Sequence, residues 1–310
     1  MQVKFGLCCL FHEENIKYKT YTKSGLQKLS LSEQKDKVLS VIIHNINSLQ
    51  YSLNYCHLNS IDSFRISSDL FPHYDYIKTI LTNNDFDYLF NKLNNLKTYN
   101  LTLSMHPGQH VNLGSPTPEV VESSKKDLEM HWEIFKNIPT KTREINIHLG
   151  GSYGDKTSAK KRFIEVAKTL DFYKNLTIEN DELSYSVEDC LEVSRELGIP
   201  VTFDLHHHRC HSLNPDYVSE FDSISDIVTA CSKTWRDSGY SHVRTHISSP
   251  KNGYSTASKS RPHSDKIEIS DFIILNSVNL ENLDLHVDIE AKHKEVAIFD
   301  LRNQLRLING

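Results

Sequence analysis

Short β-branched runs alternate with longer helical patterns along the whole chain, and this alternation constrains the fold more than any other feature. The strand-like runs lie at 3–10, 64–68, 101–106, 144–149, 176–180, 201–206, 242–248 and 283–290. The helical patterns lie at 33–56, 85–99, 116–137, 159–171, 187–197, 223–235, 269–278 and 294–307. Each strand-like run is close to continuously apolar, as parallel strands buried on both faces are. Eight such pairs with no linker predict one (β/α)8 TIM barrel, an α/β fold, as a single domain over 1–310. An open doubly wound sheet of similar size is the rival. Local signals mark the boundaries. Ser30 and Glu33 have capping-box spacing, Ser115 before Pro116 reads as an N-cap, and Gly198 followed by Pro200 closes the helix at 187–197.

Composition then bounds the function. Forty acids against 35 Lys and Arg give a formal charge of −5, which excludes a uniformly basic nucleic-acid binder but not a basic groove on an acidic body. No apolar run approaches the roughly 20 residues of a membrane helix. The start, MQVKFGLCCLFHEE, does not read as a secretory signal. The six cysteines (8, 9, 56, 190, 210 and 231) form no CxxC pair. That argues against a cysteine zinc site and for a reducing, cytoplasmic setting.

Seventeen histidines are the outlier, and their placement matters more than their number. The last six strands run into His106, His148, Glu179, Asp204, His246 and Glu290. In a barrel these ends converge on one mouth, where the catalytic residues of the fold sit. Bunched carboxylates would repel one another unless cations sat between them, so a metal cluster is expected. Histidine with carboxylate and no thiolate suits Zn, Mn or Fe. Two or three divalent ions sharing a bridging carboxylate are expected, Mn2+ first, with Zn2+, Co2+ or Mg2+ as alternatives. Paired ions clamp the attacking and leaving oxygens in phosphoryl transfer. In LHHHRCH (205–211) strand alternation favours His206, whereas a strand ending at Leu205 would swing His207 inward; the residues alone leave this open. His208 and His211 read as exposed loop residues. Lys160, Lys161 and Arg162 read as the wet face of an outer helix. The Gly-rich run 150–154 lacks the Walker pattern and reads as a mobile loop. Lys251, Lys259, Arg261 and Lys266 face only Asp265 in the loop after the seventh strand, a local basic track beside the expected metals.

Taken together, these segments resemble the UV-damage endonucleases, the UvdE or UvsE family. The likeness runs from Val3 to Leu307 through FRISSDLFP, HPGQHV, NIHLGGSYGDK, LTIENDE, FDLHHH, THISSPK, RPHSD and IEAKHKE. It implies a TIM-barrel DNA-repair nuclease related in design to endonuclease IV. Such an enzyme cuts double-stranded DNA immediately 5′ to a UV photoproduct and leaves 3′-hydroxyl and 5′-phosphate ends. The metal ligands it implies are His106, His148, Glu179, Asp204, His207, His246, His263 and Glu290, with Glu179, Asp204, His246 and Glu290 as the catalytic core. It implies Gln109 and His110 as the pair that probes the lesion. Three departures from the family pattern stand out. Tyr76 replaces a usual histidine, although His73 lies nearby. Arg244 replaces a usual near-metal lysine. His110 stands where an aromatic residue is usual. A monomer is expected. The alternatives are a metal-dependent sugar isomerase or epimerase on the same fold, and a damaged-DNA-binding protein with an impaired metal site.

Overall fold

Eight parallel strands close on themselves in chain order: β1 (Val3–Cys8), β2 (Ser63–Ile66), β3 (Thr102–Met105), β4 (Glu144–His148), β5 (Leu176–Glu179), β6 (Val201–Asp204), β7 (His242–Ile247) and β8 (Asp284–Ile289). β1 pairs with β8 through Gly6↔Asp288 and with β2 through Gly6↔Ser63. This closure removes the open-sheet alternative. The structure, a computed structural model, describes residues 3–276, 278 and 280–309. The end of the helix expected at 269–278 therefore includes Ser277, outside the described residues; the helix observed is Ile269–Asn276.

Caps set the helices that cover the barrel. The long helix Leu31–Leu58 starts on the Ser30–Glu33 capping box and buries Ile42, Ile46, Leu49 and Leu53. Ser186 and Asp189 form a second box ahead of Val187–Leu197, which ends on Gly198 at φ +61°, a left-handed turn that suits glycine. One expected cap is corrected. The helix foreseen at 116–137 runs Pro118–Phe135 with Thr117 at its N-cap. Ser115 Oγ instead accepts from the Thr117 amide, and Pro118 keeps the residue before it out of helical conformation.

The strands are buried on both faces, but the expectation of continuous apolarity is corrected: they alternate. Outward residues such as Phe5, Leu7, Leu103, Met105, Ile145, Ile147, Val243 and Ile247 form the apolar core beneath the helices. Inward residues are polar, and the lower half of the lumen holds a hydrogen-bonded cluster. Arg244, 1% exposed, donates from Nε to Glu144 Oε2 at 2.6 Å and from Nη1 to Asp288 Oδ1 at 2.7 Å. His242 Nε2 meets Glu144 Oε1 at 2.9 Å, and its ring stacks on His286 at 4.3 Å. Ser63 Oγ donates to Asp288 Oδ1 at 3.1 Å. Gly6 leaves room for this cluster, since a Cβ there would run into Asp288 and Ser63.

Candidate metal centre

Above this cluster, at the C-terminal ends of the strands, the side chains converge on Glu179. Register puts His148 beside Glu179 and Asp204 beside His246. His106 Nε2 lies 3.0 Å and His148 Nε2 3.9 Å from Glu179 Oε2. His246 Nδ1 lies 3.0 Å and His207 Nδ1 3.5 Å from Glu179 Oε1. Asn146 Nδ2 also donates to Oε2. Two groups therefore present ligand atoms within 4.8 Å of one another: His106, His148 and Glu179, and Glu179, Asp204 and His246. Glu179 belongs to both, one oxygen turned to each.

The donor chemistry fits divalent ions. His106, His207 and His263 each set Nδ1 against a backbone carbonyl, of Pro107 (2.9 Å), Asn180 (3.0 Å) and Glu290 (2.7 Å) respectively. With Nδ1 engaged there, Nε2 is the nitrogen left to face an ion, which would take the place of any proton it carries toward a neighbouring carboxylate. Asp204 Oδ2, His148 Nδ1 and Asp288 Oδ2 are buried without a hydrogen-bond partner, a costly state unless something else satisfies them. The electrostatics agree. Burial alone would raise Glu179, but His246, His148 and the bond from His106 hold its carboxyl well below the usual range. Burial would lower His207, but Asp204, Glu179, Glu182 and Glu290 push it up to about 10. Such a site draws in positive charge.

Arg65 on β2, singled out by nothing in its local sequence, is the resident cation. Its Nη2 lies 2.6 Å from Glu290 Oε1, 3.0 Å from His246 Nε2 and 3.7 Å from Asp288 Oδ2. A guanidinium always donates, so it fixes His246 Nε2 as an acceptor and puts the ring proton on Nδ1, toward Glu179. An ion bound at Nδ1 would displace that proton, so Arg65 and an ion compete for this ring. Glu290 sits 3.4 Å from His246 Nδ1 and is held well below the carboxylate range, against burial, chiefly by Arg65.

The remaining expected residues divide. β6 ends at Asp204 and the helix Leu205–His211 begins at once, with Asp204 Oδ1 capping the His207 amide at 2.6 Å. This turn brings His207 to Glu179 and sends His206 to the Tyr254 hydroxyl and the Arg261 carbonyl, both at 3.1 Å. The helix also buries His208 and His211, which corrects their reading as loop residues. His263 is brought near through Glu290 but stands outside the two converging groups. Tyr76 turns to the outside and donates to Gln34 Oε1 at 3.1 Å, while exposed His73 meets the Tyr21 carbonyl at 2.8 Å. Neither joins the converging groups. Arg244 lies in the lower cluster.

Gln109 and His110 are exposed at the rim, on the loop after β3. Lys251 and Lys259 are exposed. Arg261 stands 3.9 Å from Glu182, and Lys266 pairs with Asp300 at 2.7 Å, which shortens the expected basic track. Lys160 is also corrected: it is buried, and pairs with Asp189 and Glu192. In the Gly-rich run, Gly150 packs on Asn112 at φ +89°, and Asn112 Nδ2 donates to the Tyr153 hydroxyl at 2.6 Å. No helix among the described residues is long and apolar enough to cross a membrane.

Comparison with known proteins agrees with this fold. A UV DNA damage endonuclease from Nostoc sp. is 30% identical over 97% of this chain and 90% of that protein. One from Bacillus velezensis is 34% identical over 94% and 90%. The crystal structure of SacUVDE superposes with a TM-score of 0.82 at 28% identity, covering 99% of both chains. Endonuclease IV from Thermus thermophilus, at 14% identity and a TM-score of 0.56 over 98% of this chain and 99% of that one, shares the fold. The sequence model of the UV-endonuclease UvdE family matches residues 3–310, and the chain belongs to that family.

Proposed function

We propose that this protein is a metal-dependent DNA-repair endonuclease that cuts the phosphodiester immediately 5′ to UV photoproducts. The observation that carries the reading is the double use of Glu179, with one carboxylate oxygen facing His106 and His148 and the other facing His246 and His207. Bound divalent ions, Mn2+ first among them, would acidify a water and neutralise charge on the phosphate. His106, His148, Glu179, Asp204, His207, His246, His263 and Glu290 would hold two or three of them. Glu179 and Asp204 would anchor those ions at the strand ends, and the chemistry the ions would supply is a water activated for attack on phosphorus. Water adds across the phosphodiester: its oxygen bonds to phosphorus, the P–O3′ bond breaks, the proton the water loses is balanced by the one the 3′-oxygen gains, and the ends are a 5′-phosphate and a 3′-hydroxyl.

Recognition is read as deformability rather than sequence. A photoproduct stacks poorly, so extruding it costs less than the few kcal/mol of an intact pair. Gln109 and His110 would fill the gap, and Lys251, Lys259 and Arg261 would follow the backbone. The substrate is double-stranded DNA, and the chain acts as a monomer where DNA is kept.

The test is nicking of supercoiled plasmid, irradiated or untreated, with Mn2+ and with chelator. Nicks only in irradiated DNA and only with metal are the expected result. Absence of nicks with Mn2+ demonstrably bound would overturn it. A gel shift on irradiated DNA would then separate a damage-binding protein from a sugar-converting enzyme.

A further inference from the structure

Beside the mouth a cavity of about 430 Å3 opens between the loop after β2, the loop after β3 and the helix Pro118–Phe135. A chain of polar contacts runs along its wall and ends at the rim. His110, with its side chain 67% exposed, sets Nε2 3.1 Å from Asp127 Oδ2. Asp127 Oδ1 stands 3.0 Å from His131 Nδ1, whose proton points to the Asp127 carbonyl at 2.8 Å. That leaves His131 Nε2 as the acceptor for the Ser68 hydroxyl at 2.9 Å. His131 is 1% exposed, so the anchor of the chain is rigid. The His110 ring also packs closely on the loop: a Cβ on Gly108 would come within 2.7 Å of its Nδ1.

We propose that Asp127 and His131 are positioning residues for the probing histidine, fixing the His110 ring in its Nε2–H form at the rim so that it meets damaged DNA pre-oriented. The proposal rests on the reading of His110 as a lesion probe. An exposed histidine has two tautomers and free rotation, and ordering it on DNA would cost binding free energy. The carboxylate removes both freedoms before DNA arrives. Burial would raise Asp127, but His131 and His110 hold it below the usual range, so it accepts as an anion. Lys23, Lys126, Asp69, His73 and Asp75 line the same cavity. The ring's bond goes to Asp127 and to none of these five. Ser68 follows β2, which carries Arg65, so the chain ties the probe to the strand that enters the metal centre.

The test uses the full chain in a Glu179→Gln background, so that DNA is bound and not cut. Affinity is measured for a duplex carrying a thymine photoproduct and for its undamaged twin. The His110 tautomer is read in parallel from imidazole 15N shifts, assigned against His110→Gln. Asp127→Ala should convert His110 to mixed tautomers and cut the preference for damaged DNA by about tenfold, while the same change made in the chain that keeps Glu179 leaves manganese content unchanged. Asp127→Glu should recover part of it. Gly108→Ala, which leaves Asp127 intact but displaces the ring, should give the same loss if Asp127→Ala folds poorly. A parent that binds both duplexes alike overturns the DNA-damage reading itself. A parent that discriminates, with an Asp127→Ala protein that discriminates equally, overturns only the positioning role.

Discussion

One barrel lumen holds two polar clusters built from the same residue types, and they have opposite characters. In the lower one Arg244 lies between Glu144 and Asp288, and His242 takes the remaining oxygen of Glu144. Each lower carboxylate has a fixed cation beside it, although Asp288 Oδ2, Arg244 Nη2 and His286 Nδ1 are left without a hydrogen-bond partner. In the upper one Glu179, Asp204 and Glu290 face histidines, with Arg65 the guanidinium at one corner and Asp204 Oδ2 unpartnered. The difference lies in where the positive charge comes from: the lower carboxylates pair with a fixed guanidinium, whereas the upper ones converge with histidines whose ring nitrogens can take an added ion.

Each expected result sharpens or breaks that contrast. The largest concerns Glu179. Glu179→Gln should reduce nicking of irradiated plasmid more than about a hundredfold while keeping the fold, and its melting temperature in chelator should not fall below that of the parent. A large drop there would make Glu179 a structural residue. Next, Arg244→Met leaves Glu144 and Asp288 buried without their cation and should cost about 3–5 kcal/mol of stability. Urea unfolding should show this loss equally with Mn2+ and with chelator. A loss seen only with metal would move Arg244 into the upper cluster.

Acid should find the lower cluster too. Burial would raise Glu144, but Arg244 and His242 lower it to about 2, from 4.5 in the unfolded chain. Its contribution is therefore complete above 4.5 and disappears as pH falls through about 2. Unfolding followed from pH 5 to 2 should show a loss that Glu144→Gln lacks. The smallest effect is at Arg65. Removing its guanidinium with Arg65→Met frees His246 and Glu290, and should tighten Mn2+ binding by about tenfold, read by calorimetry. Weaker binding would mean that Arg65 supports the ligands rather than competing with an ion.

The sequence already carried the barrel, because eight short strand-like runs alternate with helical patterns, several of which carry their own caps, even though the strands themselves alternate apolar and polar residues. It also carried His106, His148, Glu179, Asp204, His246 and Glu290, because a polar residue closing an apolar run is visible without knowing its neighbours. The lower cluster was not legible. Arg244 is 100 residues from Glu144, and Ser63 is 225 from Asp288. The inward Arg65, Glu144 and Asp288 are single polar letters within strands, and only barrel closure makes them partners.

The choice between His206 and His207 turned on a helix that starts one residue after Asp204. Strand alternation, a period-2 rule, stops applying where a carboxylate caps a new helix. The outward turn of Tyr76 and the pairing of Lys266 were likewise settled by packing. By itself, then, the sequence determined which residue types stand at the ends of which strands. The tertiary structure decided which of those side chains meet, because hydrogen bonds and charge pairs across a lumen depend on strand register and closure, and neither is written in any local stretch of the chain.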